Sequence, residues 1–540
     1  MKIHNLNGLW NFAMIPDYET PPVYDSVMTV PGCFDVRPGQ FGKRKIGCYR
    51  RIVSVSGGKA MLSIGGCGLH AEFFWDDISI GKSVLPYTPE EILFDAGAEG
   101  EHTLTIITDN FIRDNPGEMF KLYYDFYGFG GIYGDVSLTE FASSDIRRVE
   151  VIPLNDKTGT VKIRVEPFET APETLKICFD GNFFKEIPFA KELTCDVPEF
   201  KLWSPDSPNL HTVCINGTSA TFGIRILEWK GQQLKLNGKP LKLLGCNRHE
   251  SHPQFGAATP DNLILNDLLM IKQQGFNFIR GAHYAQKEIM LEICDRLGLM
   301  VWDEALAWGN RPEHFTDKTF ADNQEAQCRK MVRNSINHPS IIIWGFLNEC
   351  HSFEETAPAM VSRLYSAIRE LDPSRPITYA DTYPDKNICF DLVDIIAINN
   401  YPGWYDTPDY PADGTDRIRP MLEKFAEQFK DVPKPLIMSE IGASAIYGDH
   451  SGFRWSEEYQ ADVLEEVVNA IFDIERYTGA AIWMFCDANS QIESLLAFGR
   501  PRGFNNKGML NEFRKPKVSW KQIDKLLKGK IQERINNHKG

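Results

Sequence analysis

From about residue 224 onward the chain alternates short apolar runs with amphipathic helical stretches, and it does so eight times. The apolar runs cover 241–247, 276–282, 299–304, 341–349, 376–381, 395–401, 435–441 and 480–486. Helical periodicity separates them, most clearly over 261–274 and 459–477. Eight strand-then-helix units in about 300 residues predict a (β/α)8 barrel. The competing arrangement, an open doubly wound sheet, should carry a glycine-rich phosphate loop after its first strand, and none is present.

The upstream third has a different rhythm. Residues 1–142 show apolar and polar residues alternating over short runs, as in 60–64 and 102–107, with Gly, Pro and Asp clusters between them. That pattern predicts an antiparallel β-sandwich. Residues 143–223 repeat the style on a smaller scale, with strands expected near 147–151, 160–165, 174–179 and 212–216. Roughly seven short strands in about 80 residues predict an immunoglobulin-like β-sandwich. Residues 224–540 are then the barrel.

Composition bears on partners. A net charge of −15 argues against nucleic acid, which needs a basic surface. The first residues, MKIHNLNGLWNF, lack the pattern of a secretion signal, and no apolar run is long enough to span a bilayer. Twelve scattered cysteines with no C-x-x-C spacing suit reduced thiols in a cytoplasm and give no metal-like cluster. A cytoplasmic chain, with no membrane partner, no metal and no cofactor, is the expectation.

Barrel enzymes carry their chemistry at the C-terminal ends of the strands. There the sequence places Asn247, Arg248, His249 and Glu250, then Arg280 and His283, Asp303 and Glu304, Asn348 and Glu349, Asn399 and Tyr401, Glu440, and Trp483 with Asp487. Any one of these could simply cap the next helix. Seven polar strand ends together describe a lined pocket. Two carboxylates from separate strands suit hydrolysis of a glycosidic bond with retention, one protonating the leaving oxygen and the other attacking the anomeric carbon. Glu349 is the candidate acid/base and Glu440 the candidate nucleophile, with Glu304 and Glu250 as rivals. Asn348 is placed to bind a sugar 2-hydroxyl, and Arg280 to keep Glu440 ionised.

The run Asn337-His338-Pro339-Ser340-Ile341-Ile342-Ile343-Trp344-Gly345-Phe346-Leu347-Asn348-Glu349 resembles the acid/base signature of family 2 glycoside hydrolases. Gly245 to Glu250, Asn277 to Tyr284 and Lys434 to Gly442 are similar to other strand ends of that family. Leu6-x-Gly8-x-Trp10, Val30-Pro31-Gly32, Asp125-Phe126-Tyr127, Trp203-Ser204-Pro205 and Phe222-Gly223-Ile224-Arg225 resemble its N-terminal part, so the resemblance spans nearly the whole chain. It implies a jelly-roll domain, an immunoglobulin-like domain and a TIM barrel, in that order. It also implies that Tyr401 hydrogen-bonds the nucleophile, that His283 and Trp483 line the sugar site, and that Asp125 reaches in from the jelly roll. Glu304 is expected to support the site from behind; His338 and Trp344 are expected to pack.

The sugar is less sharply indicated. Asn505-Asn506-Lys507-Gly508, followed by Phe513-Arg514-Lys515-Pro516-Lys517, resembles the N-x-K motif of β-glucuronidases, an amide and an ammonium suited to a carboxylate. Trp404-Tyr405 is similar to the same group, which brings Tyr405 into the substrate set. By contrast, Asn247-Arg248-His249-Glu250-Ser251-His252-Pro253 resembles β-galactosidases. Arg500 and Arg502, just before the motif, are candidate extra cations for a uronate. The expectation is a retaining exo-β-glycosidase for β-D-uronides, glucuronide slightly ahead of galacturonide. A neutral β-galactosidase is the alternative, and an inactive carbohydrate-binding protein a remoter one. A small glycoside substrate and a homo-oligomeric assembly are expected.

Overall fold

The computed structural model describes residues 1–405, 414–493 and 498–537, with side chains to residue 529. Eight parallel strands close into a barrel: β1 (Leu243–Asn247), β2 (Phe278–Gly281), β3 (Met300–Glu304), β4 (Ile341–Asn348), β5 (Ile377–Asp381), β6 (Ile396–Asn399), β7 (Leu436–Ile441) and β8 (Tyr477–Ile482). Each pairs with the next, and β8 returns to β1. Every residue of these strands is buried. That explains their near-continuous hydrophobicity, because strands covered on both faces have no solvent side to keep polar. Gly245 lets β1 and β2 approach closely: a Cβ there would sit 1.6 Å from the Phe278 carbonyl oxygen.

Helices α1 (Asp261–Gln273), α2 (Glu288–Leu297), α3 (Pro312–Thr316), α4 (Lys318–Ser335), α5 (Ala357–Leu371), α6 (Ile418–Gln428), α7 (Glu457–Asp473) and α8 (Val518–Asn537) return the chain between strands or end it. Met360, Val361, Leu364, Ala367 and Ile368 form the inward stripe of α5. Asp317 and Ser456 cap α4 and α7 by accepting from the amides of Phe320 and Tyr459. Two details depart from the sequence reading. The eighth strand starts at Tyr477 and ends at Ile482, three to four residues before the expected span, and α7 stops at Asp473. Tyr477-Thr478-Gly479 reads as a turn in isolation, but the barrel packs it against Leu243. The crossover from β5 to β6 holds a three-residue 3-10 turn, Phe390–Leu392, where a helix is expected.

Upstream, a four-stranded and a six-stranded antiparallel sheet face each other across a core running from Leu6 and Trp10 to Val136 and Leu138. A second pair of sheets, three and four strands, encloses Ile146, Val161, Ile163, Ile177, Val213 and Ile215. What positions the site is an aromatic seam between the first sandwich and the barrel. Tyr87 stacks on Tyr284 at 3.8 Å, and Phe120, Tyr124, Phe126 and Phe129 bury beside them. This seam seats residues 118–130 over the barrel mouth and carries Asp125 with them. Among the described residues no helix is long and apolar enough to cross a membrane.

Candidate active site

Arg280, at the end of β2 and wholly buried, organises the floor. Its guanidinium donates to Glu440 Oε1 at 2.7 Å, to both oxygens of Glu304 at 2.9 Å, to Asn348 Oδ1 at 2.8 Å and to Asn247 Oδ1 at 3.1 Å. Its face lies 4.9 Å from the Trp302 ring. One cation thus fixes groups from β1, β3, β4 and β7, a geometry that only a planar five-donor fork can satisfy. The other oxygen of Glu440 accepts from the Tyr401 hydroxyl at 2.5 Å.

Local irregularities in the strands bring the two glutamates round. Between β6 and β7 the register slips by one residue, so that Asn399 faces Glu440 while Ser439 is the extra residue. The Ser439 hydroxyl donates to Asn399 Oδ1 at 2.7 Å, and Asn399 Nδ2 donates to Glu349 Oε1 at 2.9 Å and to Asn348 Oδ1 at 3.0 Å. A second slip, between β4 and β5, precedes Asn348. Bulges at barrel rims re-aim side chains in this way. Glu349 follows at a left-handed backbone position, φ +49°, with its amide bonded to the Ala380 carbonyl.

The electrostatics separate the carboxylates. Burial, and then the negative Glu440, push the Glu349 carboxyl up to about 8, against the smaller opposing effects of Asn399 and Arg280. Glu440 accepts from the Arg280 guanidinium and the Tyr401 phenol. Burial also lifts Glu304 to about 7 despite its two bonds from Arg280. His283 lies 2.9 Å from Glu304 and stacks on Trp483 at 5.0 Å; burial, then Arg280, pull its imidazole down to about 3, so it is neutral.

At the rim, Lys507 is 1% exposed and donates to the Tyr405 hydroxyl at 2.8 Å. Its ammonium lies 4.8, 5.5 and 5.7 Å from the Tyr405, Tyr401 and Trp404 rings, and among the described residues it forms no ion pair. Burial lowers its pKa. This desolvated ammonium is ringed by aromatic faces, with the Asp125 carboxylate near enough to act on it but outside ion-pair distance, a setting that suits a further anion. Asp125 does reach the mouth, as expected, but there it engages Arg500, Ser490 Oγ at 2.8 Å and Asn505 Nδ2 at 3.0 Å. Burial would raise the Asp125 carboxyl; Arg500, then Lys507 and Ser490, together outweigh it and hold it below its ordinary value.

The structure therefore draws together Asp125, Arg280, His283, Asn348, Glu349, Asn399, Tyr401, Tyr405, Glu440, Trp483, Arg500, Asn505 and Lys507. Two expectations need correction. Arg500 is not a free cation, because Asp125 neutralises it. Arg502 stays out of the cluster: it is half-exposed, and its guanidinium pairs with Glu512 at 2.9 Å. A second arginine two residues along points to the opposite side of a turning loop. Glu250 pairs with Arg248, and Glu304 lies behind Arg280 and His283, so neither rival glutamate holds the position of Glu440. His338 and Trp344 point outward to Asp295 and Asp372. Sequence reasoning passed over Phe126, whose ring lies 5.2 Å from His249 and 5.7 Å from His283, and Ser490. Phe126 was within reach as the neighbour of Asp125; Ser490 had no signal.

Comparison with known proteins gives the family. Residues 227–531 match the family signature described as "Glycosyl hydrolases family 2, TIM barrel domain". The β-glucuronidase of Streptococcus agalactiae is 26% identical over 97% of this chain and 95% of its own length. That of Chlorocebus aethiops is 31% identical over 77% of this chain and 67% of its own. Among solved structures, the β-galacturonidase of Eisenbergiella tayi bound to galacturonate superposes with a TM-score of 0.88, at 30% identity, over 98% of this chain and 97% of that one. With one family signature covering more than half of its length, and relatives of that family matching it nearly end to end, this chain belongs to family 2 of the glycosyl hydrolases.

Proposed function

We propose that the chain is a retaining exo-β-glycosidase that releases β-D-uronic acids from small glycosides by double displacement. Glu440 attacks the anomeric carbon while Glu349 protonates the departing oxygen. Arg280 and Tyr401 aim Glu440 and keep it an acceptor. When the glycosyl ester forms, the negative charge on Glu440 disappears and so does its upward push on Glu349, which can then release its proton and activate water. Asn348 Nδ2 is buried without a hydrogen-bond partner among the described residues, the donor such a mechanism needs for the sugar 2-hydroxyl.

The uronide reading is carried by Lys507. A sugar carboxylate entering beside two catalytic acids needs a nearby cation, and Lys507 is a buried one that forms no ion pair among the described residues. The named substrates of the relatives, glucuronides and galacturonides, point the same way. A second reading, hydrolysis of neutral β-galactosides, draws on one observation: Asp125 occupies Arg500 and Asn505, so neither is available to a sugar carboxylate beside Lys507. Turnover of four aryl β-glycosides differing only at C4 and C6 tests both. The expected result is turnover of a uronide well above either neutral sugar, and the C4 arm identifies the epimer. Preference for the neutral galactoside overturns the uronide reading. Cytoplasmic location and a homo-oligomeric state belong to the same proposal, and light scattering of the purified protein tests the latter.

A further inference from the structure

Glu349 delivers its proton to the glycosidic oxygen, so the leaving group must lie on the Glu349 side of the mouth. This inference rests on the acid role proposed above. That side is built by the loops after β3, β4 and β5 and by the 118–130 segment. Two of the loops are zipped together beside the acid: the Gly309 amide donates to the Asn348 carbonyl, and the His351 amide to the Asn310 carbonyl, both at 2.8 Å.

The rings on these loops are grouped. His351 stacks on Phe353 at 5.1 Å with 25° between planes, and Tyr383 meets Phe353 edge-on at 4.8 Å. All three are part-exposed in a region where the surrounding barrel is buried. On the adjoining loop Trp308 packs against Tyr123 at 6.1 Å, and Arg311 covers the Tyr123 ring at 5.1 Å. The Tyr123 hydroxyl is buried without a hydrogen-bond partner among the described residues. Tyr383 also meets the His351 ring edge-on at 6.0 Å, and the bond from the His351 amide to the Asn310 carbonyl ties this group to the loop that carries Trp308 and Arg311.

We propose that His351, Phe353 and Tyr383 on one wall, with Trp308 and Tyr123 on the other, form an aromatic cradle that selects leaving groups with a flat apolar face. Either an aryl ring or the C–H face of a pyranose presents such a face, because both stack on aromatic quadrupoles. Arg311 and the Tyr123 hydroxyl add polar contacts at the edge.

The test compares three substrates that share whichever glycone the wild type accepts, so that failure of the uronide reading leaves it intact. One carries a 2-naphthyl group, one an alkyl group of matched leaving-group acidity, and one a pyranose. For Phe353→Ala, and for Phe353→Leu to preserve packing, the ratio of kcat/KM for naphthyl over alkyl should fall on the order of tenfold, mainly through KM. A fall confined to the naphthyl arm identifies aryl leaving groups, and a fall in the pyranose arm identifies a sugar. An unmoved ratio in both arms, whether activity stays high or drops uniformly, overturns the cradle.

Discussion

Glu349 holds a backbone conformation that few non-glycine residues adopt, and its carboxyl is pushed from 4.5 to about 8. Two outcomes follow from that one value. As the acid, Glu349 must be protonated in the free enzyme, so kcat/KM should fall as pH rises through about 8, and a pH profile reads this directly. Since the folded-state pKa lies above the unfolded one, the group contributes stability that is complete below about 4.5 and is lost as pH rises toward about 8. Glu349→Gln, neutral throughout, should therefore melt above the wild type at pH 8.5 and gain nothing at pH 4, as thermal denaturation at both values would show. Glu349→Ala should damage poor leaving groups most and be rescued by azide with a β-configured product. Glu440→Gln should lower kcat by several orders of magnitude with the fold intact, and a fluorinated slow substrate should label Glu440, as mass spectrometry of the digested protein would confirm. For Lys507→Ala, losing one partner of a desolvated ion pair costs about 3–5 kcal/mol, or roughly two to four decades in kcat/KM on aryl β-uronides. The neutral sugar of the same C4 configuration should lose little.

At the scale of elements, the loop from Asn505 to Leu510 acts as one piece. Asp487 accepts from the Gly508 amide at 3.0 Å and from Asn506 at 3.1 Å, while Lys517 binds Asp487 at 2.8 Å and two carbonyls of the same region. Arg514 is likewise tied to Asp267. The basic sequel to the N-x-K motif is thus a brace for the loop. Gly508 packs so closely that a Cβ would lie 2.2 Å from the Asp487 amide and 2.4 Å from the Leu510 carbonyl oxygen. Both are backbone atoms, so the loop itself must move. Gly508→Ala should raise KM for the uronide with a smaller change in kcat, because Lys507 shifts while Glu349 and Glu440 stay on their strands.

At the scale of the molecule, the bond between Asp125 and Arg500 joins the first sandwich to the barrel at the active-site mouth. Asp125→Ala leaves a largely buried guanidinium unpaired and should lower the melting temperature. The cost should be less than the about 3–5 kcal/mol typical of full burial, since both side chains keep some solvent contact. Adding Arg500→Ala should restore part of that stability without restoring activity, a pattern that calorimetry combined with a turnover assay separates from simple loss of packing.

The sequence by itself determined the barrel, the sandwiches before it and the polar strand ends that gather at the barrel mouth. Strand burial writes itself into apolar runs, and a polar residue ending such a run marks a strand end. It did not determine where the eighth strand begins, since Tyr477, Thr478 and Gly479 become a strand only through pairing with Leu243 and Leu436. Nor did it determine which cation is free. Arg500, Arg502 and Lys507 differ by only a few residues, yet Asp125, some 375 residues away in the chain, neutralises the first, Glu512 pairs with the second, and the third packs among aromatic rings with no ion pair among the described residues. Charge pairing is a property of side chains brought together from distant segments, so composition and spacing could propose the clamp, and only the tertiary structure decided which member of it was left to meet a substrate.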